Sequence, residues 1–275
     1  MKCSVWTGLV YNSGMAETTL HDWLETPLGN YVLGQEQLVL DEAVCNVFGF
    51  NALQVFLPEF DALRANRIPN KITVSREGPA LLRADLTALP LATQSIDLAV
   101  LPHALEFSPN PHALLREVDR VMMPEGRLII TGFNPRSLWG MRQFFSGGDQ
   151  RYPWCGRFIA LSRLKDWLAL LGFEVNAGRF WAYAPPFATE RWLRRCRFME
   201  LAGDRWWGVG GGVYLLQAIK RVQGVRLITP CWNRSPQEKV LATAVRSAAI
   251  RRSGYQNGKV IPLIPGSRPP EGEAP

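Results

Sequence analysis

The sequence predicts an α/β fold, doubly wound about a parallel sheet, and three observations carry that prediction. Between residues 50 and 133 short apolar runs alternate with helical patterns, which is the signature of parallel strands joined by right-handed crossovers. Two of the runs, Ser95–Leu101 and Arg127–Phe133, are almost continuously apolar, as strands buried on both faces must be. The chain has 275 residues, 47% of them hydrophobic and 20% charged, which suffices for one large core and excludes disorder throughout.

The elements follow in order. Thr18–Ala43 reads as helix with a break at Pro27-Leu28-Gly29; Leu33, Leu38 and Leu40 form its apolar stripe and Gln35-Glu36-Gln37 its polar face. Ala52–Leu57 is a strand ending at Pro58, and Asp61–Asn66 a helical turn or two, stopped by Ile68-Pro69-Asn70. Strands are expected at Lys71–Ser75, Leu81–Ala84 and Ser95–Leu101. Pro109–Met122 is a helix with Leu114, Leu115, Val118 and Val121 on one face, closed by Pro124-Glu125-Gly126 before the strand Arg127–Phe133. Ser162–Leu171 is a helix with Ser162 as N-cap and Gly172 just past its end. Strands lie within Phe173–Tyr183 and at Val213–Arg221, with an Arg-rich amphipathic helix at Ala188–Leu201 between them and a last helix at Val240–Arg251. Residues 1–14 read as a frayed or over-extended start, with Met15 as an alternative initiator. Residues 15–228 form the domain, and 229–275 a basic tail rich in Pro and Gly, expected to be disordered.

Composition narrows the function. The longest apolar run, Trp206–Ile219, has 14 residues including four glycines, whereas a membrane span needs about 20; no membrane partner is expected. Five scattered cysteines without a CxxC pair offer neither a disulfide framework nor a zinc site, and point to the reducing cytoplasm. Residues 1–178 carry 15 Lys and Arg against 18 Asp and Glu, and residues 179–275 carry 16 against 6, so the whole net charge of +7 arises in the C-terminal third. Trp181, Trp192, Trp206 and Trp207 lie in that third with Arg191, Arg194, Arg195 and Arg197. Aromatic and cationic residues so interleaved suit RNA or a protein partner, and equally a packed sheet face. Ser137 and Ser146 have no His/Asp pattern near them, and no P-loop, HExxH or EF-hand spacing occurs.

In an open α/β sheet, ligands sit at the carboxyl ends of the strands. The residues to inspect are therefore Pro58-Glu59, Ser75–Glu77, Asp85-Leu86, Leu101–His103 and Asn134-Pro135. Residues 81–133 carry Asp85, Leu89-Pro90-Leu91, Ser95-Ile96-Asp97, Leu101–Phe107 (LPHALEF) and Met123–Gly126 before RLIIT, in that order. This run resembles the middle of a class I S-adenosylmethionine-dependent methyltransferase of the methyltransferase type 11 kind, and the resemblance covers about residues 50–222. It implies a Rossmann-like seven-stranded sheet with an antiparallel terminal strand, and S-adenosylmethionine as cofactor. It also implies that the Asp85 carboxylate accepts from the adenine amino group and the Leu86 amide meets an adenine ring nitrogen. Leu101 and His103 would line the wall beneath the methionine part. His103 is open to two roles, general base or packing and capping residue; His112 is expected at the surface. Glu106 matches a family Glu, and Phe107 replaces the His that usually follows it.

The family's first loop, an acid followed by GxGxG, is replaced. Gln54 stands at the acidic position, and Phe56, Pro58 and Phe60 at the three glycine positions. Glycines there let backbone approach the cofactor; Pro lacks the N–H and Phe fills the space. The acid that would grip the ribose is also displaced, with Ser75 in its place and Glu77 two residues on; Glu59 and Glu77 are the substitutes at hand. Two functions follow. One is methyl transfer from S-adenosylmethionine to an unidentified acceptor. The other is a catalytically degenerate protein of the same fold that binds RNA or a protein through the basic, aromatic third.

Overall fold

A computed structural model of the protein describes residues 20–145, 151–186, 191, 195–196, 199–200, 203, 205, 210–222, 255–256 and 259–260. The Met1/Met15 question, most of the Arg-rich segment 188–201, Trp192, Trp206, Trp207, the helix expected at 240–251 and most of the tail lie outside the described residues. The chain divides into two compact units at Gln223/Gly224. In the second, β8 (Tyr255–Gln256) pairs antiparallel with β9 (Lys259–Val260).

The first unit opens with α1 (Leu20–Leu24) and α2 (Pro27–Val44). Pro27 does not break a helix; it starts one. Its missing N–H is no loss at the first helical position, and the Thr26 Oγ1 caps the end by accepting from the Gly29 N–H at 3.1 Å. The buried stripe of α2 is Leu28, Gly29, Val32, Glu36, Val39, Leu40 and Val44. Two expectations are thereby corrected. Leu38 is 65% exposed, and Glu36, expected on the polar face, is fully buried. A helix turns 100° per residue, so Glu36 lies four after Val32 and four before Leu40, on the apolar stripe.

The remaining elements are β1 (Asn51–Val55), β2 (Asn70–Ser75), β3 (Leu82–Arg83), β4 (Ile96–Pro102), α3 (Ala104–Phe107), α4 (Pro111–Val121), β5 (Met122–Phe133), α5 (Leu138–Phe145), α6 (Leu161–Leu170), β6 (Phe173–Trp181) and β7 (Val213–Lys220). They form a seven-stranded sheet in the order β3-β2-β1-β4-β5-β7-β6. β1 to β5 run parallel, and β7 is antiparallel to both β5 and β6. The expected doubly wound sheet with its antiparallel end is present. From β1 the chain steps outward to β3, then returns to lay β4 on the other side of β1. The crevice between the carboxyl ends of β1 and β4 is thus the topological switch point.

Alternation along each strand divides the core. Leu98 and Val100 of β4 face the cluster built with α1, α2 and residues 57–68, while Ala99 and Leu101 face the cluster built with α4 and α6. α4 takes the expected face, Leu114, Leu115, Val118 and Val121, and Asn110 caps it by accepting from the Ala113 N–H at 3.1 Å.

Several boundaries differ from expectation. Residues 61–66 form turns and no helix, so no helix joins β1 to β2. α2, from upstream, covers that face instead. β2 and β3 are joined by only six residues, enough because their parallel pairing spans just Val74↔Leu82 and Ser75↔Arg83. α4 passes directly into β5 at Met122, so Pro124–Gly126 lie inside the strand. Ala160, not Ser162, is the N-cap of α6; Gly172, at φ 81°, follows its end as expected. α5 was not anticipated. It is held by Trp139, whose Nε1–H donates to the Ala184 carbonyl at 3.0 Å.

Candidate active site at the carboxyl ends of β1 and β4

The loop after β1 is organised by Gln54. Its buried side chain donates from Nε2 to the carbonyls of Leu57 at 2.9 Å and Phe60 at 2.5 Å, and its Oε1 accepts from the Ala62 N–H at 3.0 Å. β1 ends at Val55 because the next two residues are left-handed, Phe56 at φ 74° and Leu57 at φ 50°. Each costs about 1–2 kcal/mol for a residue with a Cβ. The backbone therefore keeps a glycine-like turn without glycines, over-determined by the amide of Gln54.

Side chains fill what glycines would have left open. The Phe56 ring stacks on Phe107 with centroids 5.8 Å apart, and Phe107 packs on Tyr152 at 5.1 Å. Phe56 follows β1 and Phe107 ends α3 after β4, so the pair bridges the switch-point crevice. The cavity left beneath, walled by Trp23, Leu24, Leu33, Phe56, Phe107 and Phe133, holds about 10 Å³, room for about one water. A separate, open cleft of about 270 Å³ lies between Leu24, Glu25, Asn30, Leu33, Glu59 and Phe60.

Below the aromatic rings sits a buried polar cluster drawn from α2, α3 with its N-cap, and β5. His103, left-handed at φ 51°, puts Nδ1 2.9 Å from Glu106 Oε2 and Nε2 3.2 Å from Glu36 Oε2. Thr131 of β5 donates its hydroxyl to Glu36 Oε1 at 2.6 Å, and the Phe133 N–H donates to Glu106. Burial alone would push the His103 pKa down, but the Glu36 and Glu106 carboxylates outweigh it and raise the imidazole to about 10. Burial pushes Glu106 up, opposed by His103 and the Phe133 N–H. With a carboxyl group against each ring nitrogen, His103 ties α2 and α3 to the sheet. Of its two expected roles, the buried position between Glu36 and Glu106 fits packing.

The six anticipated cofactor-binding residues fall into two groups. Glu59, Glu77 and Asp85 are exposed at the strand ends. Glu59 lies against the β2–β3 turn, where a Cβ on Gly78 would come within 2.9 Å of its carboxylate. Asp85 Oδ1 accepts from the Thr87 N–H at 2.9 Å, the Thr87 hydroxyl at 2.8 Å and Arg76 at 2.5 Å. These donors, the Thr87 N–H foremost, hold its pKa below the ordinary value. Leu86, Leu101 and His103 are buried instead. The side chains of Leu86 and Leu101 belong to the core cluster with Leu53 and Val55. Glu36, Thr131 and Tyr152 were not among the expected site residues, Glu36 having been placed on a polar face. For Glu36 the signal was its place on the apolar stripe of α2; Thr131 and Tyr152 carry none. His112 is exposed as expected and rests on Trp167 at 4.0 Å.

Comparison with known proteins fits this geometry. A family model described as a methyltransferase domain matches residues 33–130, from α2 through the centre of β5. The Escherichia coli K12 protein YafS, itself uncharacterized, is 35% identical over 162 residues, 58% of this chain and 67% of that protein. A malonyl-[acyl-carrier protein] O-methyltransferase of Laribacter hongkongensis is 30% identical over 151 residues, half of each chain. Among solved structures, a Thermotoga maritima S-adenosylmethionine-dependent methyltransferase superposes with a TM-score of 0.53 at 16% identity, over 73% of this chain and 94% of that one. A chain of the complex of the Haloferax volcanii Trm112 methyltransferase activator with its methyltransferase gives 0.55 at 13%, over 76% and 99%. The segment 33–130 therefore matches a methyltransferase domain, and the fold around it is the one that S-adenosylmethionine-dependent methyltransferases share.

The family's cofactor is S-adenosylmethionine, and the residues present fit its two ends unequally. The exposed carboxylates of Glu77 and Asp85, past the ends of β2 and β3, would suit the adenosine expected there. The crevice between β1 and β4, where the methionine part is expected, is filled by Phe56 and Phe107 and does not fit it.

Proposed function

We propose that this protein transfers a methyl group from S-adenosylmethionine to an acceptor that is not yet identified. The observation that carries the reading is the family match over residues 33–130, which spans β1 to β4, the loops at their carboxyl ends and most of β5. Asp85 supports it, since its carboxylate stands exposed where the adenine amine would need an acceptor. The scattered cysteines support a cytoplasmic setting. Among the described residues no helix is long and apolar enough to cross a membrane.

The half-length likeness to malonyl-[acyl-carrier protein] O-methyltransferases makes a carboxylate on a carrier-bound acyl chain the first acceptor to try. Titration calorimetry with S-adenosylmethionine and with its demethylated product tests the cofactor reading. Saturable binding to the wild type, weakened tenfold or more by Asp85→Ala, is the expected result. Heatless titrations up to millimolar ligand with every folded variant would overturn it.

A further inference from the structure

Helix α5 carries apolar side chains on two opposite sides, and only one of those sides is packed. On the inner side Trp139 is fully buried, bonded to the Ala184 carbonyl and stacked on Phe133. Gln143 holds the same side, donating to the carbonyls of Trp154 at 3.2 Å and Gly156 at 2.6 Å. At about 100° per residue, Leu138, Met141, Phe144 and Phe145 fall within an arc of about 120° on the other side. All four are exposed, Phe144 at 82% and Phe145 at 76%, and these two rings meet edge to face with centroids 5.6 Å apart. Apolar residues exposed singly are ordinary. Four large ones on one face of an eight-residue helix mark a surface that meets something apolar.

Charge and shape say what it meets. Between Asn134 and Ala160 the chain carries four arginines, Arg136, Arg142, Arg151 and Arg157, against one acid, Asp149. Arg136 is exposed just before α5, and Arg157 is exposed beside the Gly156 carbonyl that Gln143 grips. Arg142, on α5 itself, lies over the Trp154 ring at 4.7 Å and donates to the Pro186 carbonyl; both partners are uncharged and leave its positive charge uncancelled. Apolar rings among cations suit a surface that is anionic outside and hydrocarbon within. The two phenyl rings stand out from the last turn of the helix, and neither cavity described above is walled by α5. A projecting pair of rings suits a yielding partner better than a fitted one.

We propose that the outer face of α5 is where this protein lies on an anionic lipid bilayer, with Phe144 and Phe145 entering the interface and the arginines meeting lipid phosphates. Binding of this kind draws on an apolar face and on the attraction of basic residues to anionic lipid, and needs no span. The expectation of no membrane partner rested on the missing span, and this proposal takes its place. α5 follows β5, and Trp139 rests on Phe133 at the end of that strand, so the bilayer lies beside the carboxyl end of β5. The inference does not depend on methyl transfer.

Co-sedimentation of the full chain with vesicles tests it, with phosphatidylcholine alone and with phosphatidylcholine and phosphatidylglycerol in equal parts. The wild type should pellet with the mixed vesicles, and at least tenfold more weakly with the neutral ones. The double variant Phe144→Ser, Phe145→Ser should lose tenfold or more of the affinity for mixed vesicles. Both side chains are exposed, so circular dichroism and a thermal melt should match the wild type. Met141→Ser, on the same face, should weaken binding in the same direction. A wild type that stays in the supernatant with mixed vesicles, or pellets equally with both kinds, overturns the proposal. Variants that pellet as the wild type does overturn it too, because the basic C-terminal third would then suffice. So does a wild type that is a dimer in sedimentation velocity while the double variant is a monomer, because the face then belongs to a second copy.

Discussion

At the scale of the residue, the most consequential group is Glu36. It is fully buried and neutralises one side of His103 while accepting from Thr131. Removing one partner of a buried ion pair leaves the other uncompensated, so Glu36→Ala should cost about 3–5 kcal/mol in urea denaturation. Glu36→Gln should cost less, because an amide oxygen still accepts from Thr131. The same cluster fixes a pH dependence. His103 titrates near 6.5 when unfolded and at about 10 when folded. Its contribution is therefore fully present below about 6.5 and is lost as pH rises through about 10, at up to about 1.4 kcal/mol per pH unit. Denaturation at pH 6.5 and 9.5 should show that fall in the wild type, and His103→Gln should flatten it. An unchanged slope in the variant would mean that His103 carries no extra proton in the folded state.

At the scale of the element, the two best-capped helices bracket the site. Thr26 caps α2 and Asn110 caps α4, each through one accepted N–H. Either residue changed to Ala should lose about 1 kcal/mol by thermal or urea unfolding. If Thr26→Ala also loosens α2, amide exchange should quicken along Leu28–Val32. Elements were legible in the sequence wherever one periodicity ruled: β4, α4 and β5 all lie where their apolar patterns put them. Legibility failed where long-range contacts decide. No local signal says that α2 replaces a helix between β1 and β2, since that depends on residues 57–68 packing back on Val39, Leu40 and Val44. α5 was missed because its apolar pattern is mixed, with Trp139 buried and Met141, Phe144 and Phe145 exposed.

At the scale of the whole molecule, the sheet order sets the switch point between β1 and β4; the alternating pattern of residues 50–133 predicted the parallel sheet and the strand ends to inspect, and only the fold revealed the strand order. That the carboxyl ends of the strands are the place to look was legible, because it belongs to topology. Its state was not. The sequence revealed the missing glycines, but only the fold reveals that Gln54 bonds a glycine-like turn into place and that Phe56 meets Phe107, 51 positions further on, across the crevice. Gln54→Ala should therefore destabilise the fold by about 1–3 kcal/mol, leaving buried carbonyls of the loop unsatisfied, and urea denaturation measures it.

The central claim is that the carboxyl ends of β1 to β4 hold S-adenosylmethionine. Hydrogen–deuterium exchange of the wild-type protein with and without saturating S-adenosylmethionine tests it most directly. Altered exchange confined to residues 56–60, 75–78, 84–88 and 101–107 is the predicted result. Exchange that changes only elsewhere in the chain, or nowhere at all, would contradict the account.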